Sequence, residues 1–114
     1  MNQTQLFLRG RFWIESPTGT FLGQGRVALL EHIRDQGSIS AAARAMNMSY
    51  RQAWQLVNTM NSHSSSPLVE SSTGGKGGGG AMLTTTGERA IALYYAIKQD
   101  FEVFLSQRSA QIDW

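Results

Sequence analysis

The stretch from Gly37 to Ser62 constrains this chain more than any other part of it. Ser38 and Ser40 stand as N-cap candidates before the alanine-rich run Ala41-Ala42-Ala43-Arg44-Ala45-Met46, which has room for about two helical turns. Asn47 follows, a residue type that tolerates left-handed backbone. Ser49 then opens a further helix, because Ser49-x-x-Gln52 is a capping box, and that helix runs to about Asn61. A short helix, a tight turn and a second capped helix make a helix-turn-helix over residues 38–61. Ala43 is small where the two helices must cross, and Met46 and Met48 are apolar on either side of the turn.

The flanking segments give the rest of the architecture. QLFLRGRFWIE is rich in strand formers, Ser16-Pro17-Thr18-Gly19 is a turn string, and Thr20-Phe21-Leu22 returns, so residues 5–22 read as a β-hairpin. Residues 24–36 read as a first helix, with Val27, Leu30 and Ile33 at helical spacing and Gly37 as its stop. Beyond a serine-rich loop, residues 68–84 read as two short strands around a loop that holds six of the chain's twelve glycines. Thr85-x-x-Glu88 is a second capping box, opening a long helix over residues 85–108. The expected fold class is therefore α+β, mainly α: one winged helix-turn-helix domain over residues 1–114, with an N-terminal β-hairpin and a long C-terminal dimerisation helix.

The second helix of the pair carries the informative chemistry. On a wheel with Ala53 at zero, Tyr50, Val57 and Met60 lie within about 60° of it and Leu56 marks the other edge, which makes this the buried face. Arg51, Gln55 and Asn58 fall opposite, Gln52 and Thr59 flank them, and Trp54 is intermediate. Arg binds guanine O6 and N7 in two places, and Gln and Asn do the same at adenine N6 and N7. The polar face holds no acid to repel phosphate, and a recognition helix uses its N-terminal residues, here Ser49 to Gln55, in the major groove. The competing reading is a solvated face on an ordinary amphipathic helix, since helix-turn-helix geometry also occurs away from DNA.

Charge distribution favours the same region. The net charge is +2; residues 37–86 set Arg44, Arg51 and Lys76 against Glu70 alone, whereas residues 87–114 carry an excess of acid. The glycine-rich loop with Lys76 at its tip suits a wing on the DNA backbone, where glycine lets the chain approach a phosphate and lysine neutralises it. It is not a nucleotide-binding P-loop: Glu70 stands five residues before Gly75, and Gly77 rather than Ser or Thr follows Lys76.

Other functions find no support. There is no cysteine, and His32 and His63 lie apart without metal-ligand spacing, so neither metal nor cofactor is expected. No paired carboxylates or nucleophile–base spacing marks an enzyme. The three tryptophans do not alternate with bases as single-strand binders arrange them. No apolar run reaches the ~20 residues of a membrane span, and Arg9 and Arg11 break the only apolar stretch near the start, so the expected location is the cytoplasm. On the last helix Ala90, Tyr94, Ile97, Phe101 and Phe104 form a stripe, with Leu93, Tyr95 and Val103 beside it. That width exceeds what one small domain covers, and a partner helix in a homodimer is the expected cover.

The run GSISAAARAMNMSYRQAW, followed by PLVESSTGGKGGGGAMLTTTGERA, resembles the N-terminal DNA-binding domain of ModE-type molybdate-responsive regulators, and more broadly the winged helix-turn-helix of LysR-type regulators. The resemblance covers about residues 6–108. It implies a dimer held by the terminal helix, recognition helices in successive major grooves of a palindromic operator in double-stranded DNA, and wings on flanking backbone. Onto the recognition helix it maps Ser49, Tyr50, Arg51, Gln52 and Gln55, and onto the wing Thr73, Gly74, Lys76 and Gly77; Ser38, Ser40 and Asn58 complete the candidate DNA-binding set. Full-length members continue into a molybdate-binding domain. The residues here end at Trp114, so the resemblance does not carry molybdate binding over to this chain. Two alternatives remain at this level: a winged-helix module for protein partners, and an oxyanion-responsive adaptor whose glycine N–H groups nest the anion.

Overall fold

The computed structural model describes residues 5–72 and 79–114. Its elements are β1 (Ile14–Ser16), β2 (Gly19–Leu22), α1 (Gln24–Gln36), α2 (Ile39–Ala45), α3 (Tyr50–Ser62), β3 (Val69–Ser72), β4 (Gly80–Leu83) and α4 (Thr85–Ser109). Two antiparallel hairpins, β1–β2 and β3–β4, flank the three-helix body, giving a winged helix-turn-helix.

α1 sits at the centre. Its Val27, Leu29, Leu30 and Ile33 are buried, and Gly37 ends it in left-handed backbone (φ 78°), donating its N–H to the Ile33 carbonyl at 2.9 Å. The Gly37 carbonyl then accepts from the Ala81 N–H at 2.9 Å, so the turn after α1 anchors β4. Ala42 and Ala43 from α2 and Ala53, Val57 and Met60 from α3 close over α1, with Leu68, Val69 and Ala81 from the second hairpin. The small side chains at Ala42, Ala43 and Ala53 let the helices cross closely.

The first hairpin is shorter than the strand propensity of residues 5–22 implies. Pairing begins at Ile14, and the register slips by one residue between Ile14 and Glu15. β2 spans only four residues, and among the described residues no other strand pairs with residues 5–13. These residues instead run irregularly along α4. The Leu8 N–H donates to Ser109 Oγ at 2.7 Å, and the Phe12 ring lies 5.0 Å from that of Tyr94 and 5.4 Å from that of Phe101. Packing against α4 takes the Phe12 ring, while Phe7 and Trp13 stay exposed.

α4 begins at Thr85, but its cap is Thr84 rather than Thr85. Thr84 Oγ1 accepts from the Gly87 N–H at 3.0 Å and donates to the Pro67 carbonyl at 2.6 Å. Both threonines have the right hydroxyl; the carbonyls at the foot of β3 select Thr84. Gly87 must stay without a side chain, since a Cβ there would collide with the Leu68 carbonyl oxygen and the Leu83 side chain.

Candidate nucleic-acid interface

The turn between α2 and α3 is built by local chemistry. Ser38 Oγ caps α2, accepting from the Ala41 N–H at 3.0 Å. Asn47 takes left-handed backbone, φ 54°. Its N–H donates to the Arg44 carbonyl at 3.2 Å, and the Met48 N–H reaches the Ala43 carbonyl at 3.0 Å. These two bonds form a Schellman closure, with Met46 and Met48 packed against the core. Ser49 Oγ then accepts from the Gln52 N–H at 3.0 Å and starts α3.

α3 buries Ala53, Val57 and Met60 and exposes Arg51, Gln52, Gln55 and Asn58, as the wheel predicts. Among the described residues, the side chains of these four exposed residues make no hydrogen bond or ion pair with one another or with the body, so their donors and acceptors are available for a ligand. Tyr50 departs from the wheel: it is 55% exposed rather than buried. It stands in the first turn of α3, beyond the end of the core that Ala53 begins. Trp54, one turn later, is 48% exposed. Ser40 Oγ accepts from Arg44 Nη1 at 2.9 Å, so within α2 this serine holds an arginine, and the Ser38 hydroxyl is engaged as a cap.

Asn61, which the sequence marks only as a helix end, fixes α3 against the second hairpin. Its Oδ1 accepts from the Leu68 N–H at 2.8 Å and the Val69 N–H at 3.3 Å, and its Nδ2 donates to the Val69 carbonyl at 3.0 Å. The signal available in sequence was an asparagine at the end of a helix a few residues before a proline-led strand. β3 and β4 pair from Val69↔Leu83 to Ser72↔Gly80. The wing candidates Thr73, Gly74, Lys76 and Gly77 lie outside the described residues. Between α3 and the hairpin runs a groove of about 470 Å³, with Tyr50, Trp54 and Asn58 on one wall and Ser72 and Gly80 on the other.

The stripe on α4 divides. Ala90 and Tyr94, expected at a dimer face, are buried within the chain itself, because Phe12 and the body already cover that end of α4. Ile97 and Phe101 are half-buried. Phe104 remains 51% exposed, with Val103 at 49% and Leu93 at 50%. None of the helices is long and apolar enough to cross a membrane, among the described residues.

Residues 25–88, more than half the chain, match the family described as bacterial regulatory helix-turn-helix protein, lysR family. The chain is 37% identical over 103 residues to "Molybdenum transport protein ModE" of Azotobacter vinelandii, covering 90% of this chain and 38% of that protein. It is 49% identical over 79 residues to "DNA-binding transcriptional dual regulator ModE" of Escherichia coli K12, covering 69% of this chain and 30% of the relative. It thus spans 38% and 30% of the length of these two relatives. Among solved structures it resembles the full-length regulator LysG of Corynebacterium glutamicum, with a TM-score of 0.53 and 26% identity over 76% of this chain and 29% of that one.

Proposed function

The chain belongs to the lysR family of bacterial regulatory helix-turn-helix proteins, and from that premise we propose that it is a dimeric, sequence-specific double-stranded DNA-binding transcription regulator. The observation that carries this reading is α3. Capped at its N-terminus, it presents Arg51, Gln55 and Asn58 opposite the core with Gln52 at their flank, all four unengaged by the described body and the face free of acid. Arg51 and Gln55 read base edges in the major groove, with Ser49 and Gln52 on the backbone at the helix N-terminus. Tyr50 and Asn58 border them. Ser38 and Ser40 approach the neighbouring phosphates from α2, and the glycine-rich wing with Thr73, Gly74, Lys76 and Gly77 follows the flanking backbone. The free part of the α4 stripe, around Phe104, pairs two copies so that two α3 helices meet the two half-sites of a palindromic operator.

The names of the relatives tie those proteins to molybdenum. We place this chain in the DNA-binding part of a regulator of that kind and do not extend molybdate binding to it.

The test is substitution on a selected duplex. Arg51→Ala and Gln55→Ala should each relax the preference at one base position per half-site, at about 1–3 kcal/mol. Lys76→Ala should weaken every sequence alike and lower the salt dependence. If the Arg51 and Gln55 variants bind all base variants of the site as the parent does, α3 is not the reading element.

A further inference from the structure

The groove between α3 and the β3–β4 hairpin has a chemistry that the base-reading face does not explain. Trp54 stands at its α3 wall, half exposed, and its indole N–H has no hydrogen-bond partner among the described residues. On the helix wheel it lies at the hairpin-side edge of the face that carries Arg51, Gln55 and Asn58. Tyr50, also exposed, precedes it by one turn, and Ile39 of α2 lies beside them. The described lining holds no cation, and Glu70 is its single charged residue. Against this described lining a phosphate would face the Glu70 carboxylate, whereas an uncharged group would not. The groove suits an uncharged, partly apolar surface continuous with the bases that α3 reads. In the major groove the apolar feature is the 5-methyl group of thymine.

We propose that Trp54 is a specificity-determining residue that selects thymine at one position of each half-site by packing its indole against the 5-methyl group. This rests on the DNA-binding reading above and deepens it. Arg51 and Gln55 then specify their bases by hydrogen bonding, whereas Trp54 specifies its neighbour by a contact that a pyrimidine without the methyl does not make.

Replacing thymine by uracil removes that methyl and leaves every hydrogen-bonding group in place. Each thymine of a selected operator is replaced singly by deoxyuridine, and affinities are measured for the parent protein, Trp54→Ala and Trp54→Phe, with folding checked by circular dichroism. The parent should lose about fourfold in affinity, the worth of one buried methyl group, at one thymine per half-site. Trp54→Phe should keep part of that discrimination, and Trp54→Ala should bind thymine and uracil equally at that position while its preferences opposite Arg51 and Gln55 persist. Equal affinity of the parent for thymine and uracil at every position overturns the inference and leaves the DNA-binding reading standing. Discrimination that persists in a folded Trp54→Ala assigns the methyl contact to another residue and overturns it likewise. Absence of binding to any duplex removes both.

Discussion

Asn47 and Ser49 show how single residues set the helix-turn-helix. The α2–α3 turn requires one residue in left-handed backbone, and Asn47 holds φ at 54°. A residue without asparagine's local hydrogen-bonding capacity meets a cost of about 1–2 kcal/mol there. Asn47→Ala should therefore lower unfolding free energy by about 1 kcal/mol, whereas Asn47→Gly should match or exceed the parent, in urea titrations of both. Ser49→Ala should cost a similar ~1 kcal/mol, since its hydroxyl alone caps the Gln52 N–H. These positions were legible in sequence because caps and left-handed turns are decided by residues a few places apart. Tyr50 was not. A helical wheel assumes that the body runs the full length of the helix, and here the core begins at Ala53, one turn's breadth from Tyr50's place at the helix start. The Thr84 cap was hidden for the same reason: the choice between Thr84 and Thr85 falls to Pro67, seventeen residues before Thr84.

Elements are held relative to one another by a few side chains at their ends. Asn61 joins the end of α3 to the start of β3 through three hydrogen bonds. Asn61→Ala leaves the Leu68 N–H and Val69 carbonyl without that partner and should cost about 1–3 kcal/mol in stability. It should also weaken DNA binding at every sequence, because the spacing between α3 and the wing loosens while no base contact is removed. Binding that weakens at only one base position would contradict this positioning role. Gly87→Ala should destabilise by about 1–3 kcal/mol in thermal or urea melts, because α4 must move away from the Leu68 carbonyl. α4 is also tied to α1, where the Tyr95 hydroxyl donates to Glu31 at 3.1 Å. Burial first, and then the Glu31 hydrogen bond and charge, raise the Tyr95 phenol above its ordinary value. Its contribution is therefore present below pH about 10 and is lost as the pH rises through the raised value. The stability difference between the parent and Tyr95→Phe should shrink across that range in urea melts. The element order and the long α4 were legible because their patterns are periodic. Residues 5–13 misled because strand propensity counts only where a partner strand exists, and here α4 offers Phe12 a packing surface and the Leu8 N–H an acceptor.

At the scale of the molecule, shape supports association. The radius of gyration is 18.0 Å, where a compact chain of this length would have about 13 Å, and the longest extent is 65 Å. α4 leaves the body toward its C-terminal end and carries Val103 and Phe104 into solvent. Val103→Glu combined with Phe104→Glu should halve the mass seen in sedimentation and reduce affinity for a two-half-site duplex by about 100-fold, while single half-sites bind as before. The stripe read from sequence includes Ala90 and Tyr94, which are buried within the chain, Tyr94 under Phe12 from a segment some eighty residues away. The central claim, a dimer that reads a particular DNA sequence, is tested most directly by selection from a randomised duplex pool, followed by affinity for the selected site as a function of salt. The account predicts two inverted half-sites about ten base pairs apart, with log K falling steeply as log salt rises. A pool from which no sequence emerges, bound weakly and equally throughout, would contradict it.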